Sequence, residues 1–348
     1  MKKLTYSLLP LGITVGLCLN IAPASAGMIV QNVIPNAALS IDGFGSVSNN
    51  GVIRANIPTG STIQRAYLYA ASIWNMSQVY EVTFNGTKLL MSSATILTPA
   101  DNNLATTARW DVTSIIASSF TGGLQDFSIV EDGDNDGEVL VVAYSNPSTQ
   151  GLTSVILDGE LNPQGDTVKF DFPAPYAGGA FLVSLASSYS RQPSGQATEI
   201  DVTTNSTNNR RLTSSAGGQD DGEGADGALI TVGGIGDSPD NPDPCASPSE
   251  GPRIDDEYYN LALGNSSSSL SCSAASTTPF ILPGNTFVEF KTVNPSDDDN
   301  VFGMFITSAF QISSANITST SIPEPSITLG IFGIGGIGIL LSRLGKKS

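Results

Sequence analysis

Between Met28 and Ser314 the chain alternates short apolar, β-branched runs with clusters of Gly, Asn, Asp and Pro. No long stretch there places apolar residues at helical spacing, so the pattern predicts strands throughout. Clear examples are Ala66 to Trp74 (AYLYAASIW), Tyr80 to Phe84 (YEVTF), Val139 to Tyr144 (VLVVAY), Thr167 to Phe172 and Thr286 to Val293. Asn85-Gly86 directly after YEVTF is a tight-turn signal, because both residues tolerate positive φ. Many short strands at this spacing predict an all-β protein, an antiparallel β-sandwich or jelly roll.

A faint internal echo refines this. AYLYAASIW at Ala66 is echoed by AFLVSLASSY at Ala180. Each is followed later by a strand, an acidic loop and a strand, FSIVEDGDNDGEVLVVAY and then VEFKTVNPSDDDNVFGMFITSAF. The echo predicts two sandwich domains, residues 27-162 and 163-315, the second with a polar insertion over about 217-278. A single larger sandwich with an inserted loop is the alternative.

The two ends follow a different logic. Lys2-Lys3, an apolar stretch from Leu4 to Ile21, and Ala24-Ser25-Ala26 form a positive region, a hydrophobic region and an A-x-A site. These predict a secretory signal peptide, residues 1-26, cleaved after Ala26. Cys18 follows Leu17 rather than the small residue a lipidation site needs. At the other end a linker over 316-322 leads to Pro323-Glu324-Pro325, then an apolar stretch over 327-342, then Arg343, Lys346 and Lys347. Its fifteen or so helical residues would span roughly 22 Å, a short transmembrane helix weakened by glycines. The basic cluster would stay on the cytoplasmic side and leave the body facing outward.

The order of Pro-Glu-Pro, short glycine-rich apolar helix and basic terminus resembles the PEP-CTERM sorting signal, over about 27 residues. The resemblance implies recognition of Pro323, Glu324 and Pro325 by a membrane-embedded exosortase-type enzyme. It also implies a location in the cell envelope, outer surface or extracellular matrix, with transient or permanent membrane anchoring. It says nothing about the body.

Composition removes several functions. There is no histidine, which excludes Ser-His-Asp and Cys-His catalysis, imidazole zinc sites and histidine pH switches. Fifteen Lys and Arg against 32 Asp and Glu give −17, and without the two ends ten cations face 31 acids, or −21. Such a body repels phosphate backbones, so nucleic acid is not an expected partner. No G-x-S-x-G elbow or Ser-x-x-Lys occurs. Gly233-Gly234-Ile235-Gly236 follows a strand, but no helix or third-glycine spacing completes a dinucleotide fingerprint. The chain is therefore not expected to be an enzyme, although a glycan hydrolase needs only two carboxylates, and no pair stands out.

Asp132-Gly133-Asp134-Asn135-Asp136-Gly137-Glu138 is the sharpest local feature. Oxygen ligands at alternate positions around a glycine suit Ca²⁺, with Asp132, Asp134 and Asp136 as ligands. The twelfth position, where an EF-hand needs Glu, is Ala143, so this is no EF-hand. A solvated acidic hairpin is the competing explanation. Further acidic loops lie at Asp220 to Gly227 and Asp297 to Asn300. Cys245 and Cys272 are the body's two cysteines and in an exported chain read as one disulfide. Closing such a loop contributes roughly 3–4 kcal/mol. Trp74, Trp110, Tyr258 and Tyr259 are candidate rings for stacking on sugars. In an extended chain Tyr258 and Tyr259 point to opposite faces, so at most one is available. Together these features predict an exported structural or adhesive protein with extracellular polysaccharide as a possible contact. The alternatives are a carbohydrate-binding module and a carboxylate-dependent glycan hydrolase.

Overall fold

The computed structural model describes residues 27–45, 48–73, 76, 78–97, 106–161, 165–188, 198–216, 230–237, 239, 257–264, 278–293 and 300–321. The expected signal peptide, the tail from Pro323 onward, Cys245, Cys272 and Trp74 lie outside these residues.

The described chain is mostly strand, with one short helix, α1 (Thr113–Ser119). Four antiparallel sheets account for the strands. In the first half, an outer sheet carries β3 (Asn50–Ile57), β9 (Gly123–Glu131), β5 (Val82–Phe84) and β6 (Thr87–Leu89), in that order. An inner sheet carries β2 (Ala38–Gly45), β10 (Asn135–Ser145), β4 (Thr62–Ser72), β8 (Thr107–Asp111) and β7 (Thr95–Leu97). In the second half, the inner sheet carries β1 (Ile29–Pro35), β11 (Thr153–Asp158), β19 (Asn300–Ser308), β13 (Phe181–Ser188) and β16 (Thr231–Val232), with β17 (Tyr258–Asn260) also beside β13. Its outer sheet carries β15 (Arg210–Ala216), β14 (Thr198–Thr204), β18 (Phe287–Val293), β12 (Asp166–Asp171) and β20 (Ile317–Ser321).

Both halves repeat one connectivity. The inner sheets share the run β2-β10-β4-β8 and its counterpart β11-β19-β13-β16. The outer sheets share β3-β9-β5-β6 and β12-β18-β14-β15. Counting the eight strands common to both halves, and leaving aside the extra strands β7 and β17, these are first-eighth-third-sixth over second-seventh-fourth-fifth, the strand order of a jelly roll. The echoed sequences sit on equivalent strands: Ala66 lies in β4, Ala180 immediately precedes β13, and the two acidic segments fall between β9 and β10 and between β18 and β19.

Three cores separate the four layers. Ala66, Leu68 and Ala70 of β4 face the first half's core with Leu140 and Val142 of β10. The alternate residues Tyr67, Tyr69, Ala71, Val139 and Val141 face a middle core, where they meet Ile156, Val232, Phe302 and Phe305 of the second half's inner sheet. The other face of that sheet, including Val155, Leu157, Val183 and Leu185, packs on the second outer sheet. Inner strands are thus buried on both faces, which is why AYLYAAS and VLVVA are continuous apolar runs. Outer strands alternate instead: β14 (TEIDVTT) is buried at every second residue, as is β12 (DTVKFD). In the middle core the Tyr69 ring lies 5.7 Å from Phe302 and 5.8 Å from Phe305. Those two phenylalanines reach the same side because a bulge interrupts the β13–β19 register there. Gly303 permits it, since a Cβ at that position would lie 2.5 Å from the Phe305 ring.

Three expected boundaries move. The strand before the first half, β1, pairs with β11, and both belong to the second half's sheet, so the division does not follow a cut at residue 162. Asn36, at φ 56°, turns the chain out of β1, held by its N–H to the Leu152 carbonyl at 2.7 Å. The polar insertion contains β16 and β17, whose Val232 and Tyr259 are fully buried. The expected linker contains β20, which pairs with β12. Among the described residues no helix is long and apolar enough to cross a membrane.

Candidate functional site

The predicted acidic motif lies where the chain crosses from β9 of the outer sheet to β10 of the inner sheet, so it is an inter-sheet loop and not the acidic hairpin expected. Asp132 accepts a hydrogen bond from Lys88 Nζ at 2.6 Å, and the same ammonium lies 3.2 Å from Glu81. Asp134 accepts one from Asn49 Nδ2 at 3.4 Å. Asp136 belongs to β10 and is buried, at the point where a bulge separates Asn135 from Gly137 in the pairing with β4. The three are therefore a turn residue with a cation, a turn residue with an amide, and a strand residue. Among the described residues no group of three or more His, Cys, Asp or Glu is placed to hold a metal.

The buried chemistry beside this loop sits in neighbours that the motif did not single out. Glu131 ends β9 and Glu138 lies two residues before Leu140, so strand alternation aims both into the first half's core. Glu138 is fully buried. Burial first, then the Glu131 charge and a hydrogen bond to Glu131, hold its carboxyl well above the usual range. A carboxyl raised in this way holds its proton to higher pH than a free glutamate does. Asn135 supports it from the side. Its Oδ1 accepts from the Tyr80 N–H at 2.8 Å, while Nδ2 donates to the Tyr80 carbonyl at 3.3 Å and to Glu138 Oε1 at 3.4 Å. The signal for Glu138 was its phase with Leu140 and Val142.

A second polar cluster lies between the halves. Asp158, the last residue of β11, is fully buried and accepts hydrogen bonds from the Tyr69 hydroxyl at 2.8 Å and from Arg109 Nη1. Arg109 comes from β8, whose next residue, Trp110, points the other way into the first core. The guanidinium also lies over the Tyr67 ring, 4.9 Å from its centre. Tyr67 in turn donates to Asn32 Oδ1 at 2.8 Å, and Glu160 accepts the Thr107 N–H at 2.7 Å. Burial raises the Asp158 carboxyl, and Arg109 only partly opposes this. Burial also works against the charge on Arg109, but the attraction of Asp158 outweighs it. The Tyr69 hydroxyl is pushed well up, by burial and then by Asp158.

The third feature is a cavity of about 290 Å³ at the junction of the halves. Ser40, Ile41 and Asn56 line it from β2 and β3, and the turn Gly234 to Asp237 and Tyr258 line it from the second half. The Gly-Gly-Ile-Gly stretch is explained here by close packing. A Cβ at Gly233 would lie 2.4 Å from the Glu257 carbonyl oxygen, and one at Gly234 would lie 2.2 Å from that of Ile41. Asp237 Oδ2 closes the turn on the Gly234 N–H at 2.5 Å, and Ile235 N–H donates to the Ile41 carbonyl at 2.9 Å. Of the candidate rings, Trp110 is buried with its indole N–H on the Leu90 carbonyl at 2.9 Å, and Tyr259 is in the second core. Tyr258 alone among the described candidates is half-buried and borders a cavity.

No family model matches the chain, and no curated protein matches it. Among solved structures, the major capsid protein P2 from Bacteriophage PM2 is similar at 13% identity, over 80% of this chain and 99% of that one. The TM-score is 0.21, a level that supports no inference of shared role.

Proposed function

We propose that this chain is an exported structural or adhesive protein of the cell surface or extracellular matrix, sorted through its Pro323-Glu324-Pro325 tail. The supporting observation is how the first and last described segments are held together. Met28 is fully buried, and its carbonyl accepts a hydrogen bond from Ser319 Oγ of β20. Cleavage after Ala26 would leave this core residue second in the mature chain. The sorting motif follows two residues after β20. Both signals therefore adjoin one edge of the second half, and a tethered tail would hold that half nearest the membrane. Two jelly rolls fused through a buried middle core suit a rigid, load-bearing block, and a net charge of −21 keeps it dispersed outside the cell.

The test is replacement of Pro323, Glu324 and Pro325 by alanine in cells that carry an exosortase-type enzyme, followed by fractionation. The expected result is an uncut chain held in the membrane fraction and lost from the surface or matrix. An unchanged size and distribution would overturn the sorting assignment. The carbohydrate-binding alternative is supported by one specific feature, the cavity bordered by Tyr258.

A further inference from the structure

We propose that the cavity between the halves is a binding subsite for one neutral pyranose unit. The assignment uses the body alone and holds whether or not the tail is a sorting signal. Its size decides between ligands first. About 290 Å³ is at the lower end for ligand cavities and accepts one sugar ring or a chain terminus, not an enclosed oligosaccharide.

The walls decide the chemistry. Tyr259 points into the second core, so alternation puts the Tyr258 ring on the opposite face of β17, toward the first half. A half-buried tyrosine offers an apolar ring face beside a polar tip, matched to the C–H face and hydroxyl rim of a pyranose. Across the cavity, Asn56 is exposed, while its backbone N–H is already satisfied by Ser40 Oγ at 2.8 Å. Its side-chain amide therefore projects from a fixed backbone and can donate and accept. The Asp237 carboxylate, fixed by the Gly234 N–H, supplies acceptors on the third side. Leu39, Ile41 and Ile235 complete an apolar floor.

Charge sets the selectivity. Among the described residues that line it none is a cation, Asp237 is an acid, and the body carries −21, so a uronate or phosphorylated sugar meets repulsion. The close approach required of Gly233 and Gly234 keeps the floor rigid, so the site is pre-formed.

The experiment uses the full-length chain in a detergent without a sugar headgroup. Methyl glycosides of glucose, galactose, mannose and N-acetylglucosamine are titrated to about 20 mM and followed by saturation-transfer NMR, with methyl glucuronide as the charged comparison. At least one neutral glycoside is expected to bind with millimolar Kd, and the glucuronide at least about tenfold more weakly. Asn56→Ala and Tyr258→Leu should each weaken binding about tenfold. The melting temperature reports folding, and Asn56→Ala, at an exposed side chain, keeps the test readable if Tyr258→Leu unfolds. The proposal is overturned if no neutral glycoside binds by 20 mM, if the glucuronide binds equally well, or if Asn56→Ala binds as the parent does.

Discussion

Two buried carboxyl groups in this protein are kept in opposite ways. Asp158 sits between the halves beside a guanidinium, a phenol and a strand end. Glu138 sits inside the first half against another carboxyl. The first environment supplies a cation, so the acid can remain charged at a desolvation cost that Arg109 offsets in part. Among the described residues no cation acts on Glu138, and burial with the Glu131 charge raises its carboxyl instead. Position in the layers explains the difference. A cation placed between two inner sheets also links the halves, whereas the inside of one jelly roll gains nothing from a fixed charge.

The largest effect should come from removing the cation. Arg109→Met leaves Asp158 buried without its counter-charge and should lower stability by about 3–5 kcal/mol, read by urea unfolding. A loss below about 1 kcal/mol would mean that the Tyr69 hydroxyl suffices and that the comparison with Glu138 fails.

Next is Asn135→Ala, which strips both Tyr80 backbone groups and one Glu138 oxygen of their partner. A loss of about 1–3 kcal/mol is expected in the same assay.

The pH dependence should be gentler and diagnostic. Glu138 binds its proton more tightly folded than unfolded, so its contribution to stability is full at low pH. It is lost as pH rises from the ordinary glutamate range through the raised folded value. Glu138→Gln removes that loss, so the variant should gain on the parent by about 1 kcal/mol or more between mildly acidic and alkaline pH. Parallel stability–pH curves would refute a raised Glu138 carboxyl.

Calcium should have the smallest effect. Asp132 already faces Lys88 and Asp136 is closed off from solvent, so melts in chelator and in millimolar Ca²⁺ should differ by at most about 2 °C. A rise of about 5–10 °C that disappears in Asp134→Ala would place the ion in the β9–β10 loop and sharpen the comparison into one between a proton and a metal.

Much of the architecture was legible in the chain. Short strands, the Asn85-Gly86 turn and the echo between Ala66 and Ala180 all concern neighbours within a few residues, where side-chain alternation leaves a direct trace. Asn85 and Gly86 do adopt positive φ, 47° and 78°. Pairings across the chain leave no such trace. Nothing local tells β1 to join β11, or the three residues of β17 to reach β13 from inside a polar segment. The same limit applies to the sites. Alternating aspartates drew attention to Asp132 and Asp134, which the turn leaves at the surface, while the buried chemistry belongs to Glu131 and Glu138 on either side. Arg109 and Asp158 are 49 positions apart and meet only because two inner sheets are stacked. The Gly-Gly-Ile-Gly stretch was visible, but its purpose depended on the Ile41 and Glu257 carbonyls that approach it.

The edge position of β20 also has a mechanical meaning. Among the described strands β20 pairs with β12 alone, with one further bond from Ser319 Oγ to the Met28 carbonyl, and Thr318, Ser319 and Thr320 are exposed. A pull on the tail would load it from its free end, parting its hydrogen bonds one after another rather than all together. Five residues of strand would then pay out roughly 17 Å of slack before the load reaches β12 and the second core. In the sorting arrangement proposed above, such a strand would act as a fuse between tail and body, yielding first and able to re-pair when the force drops.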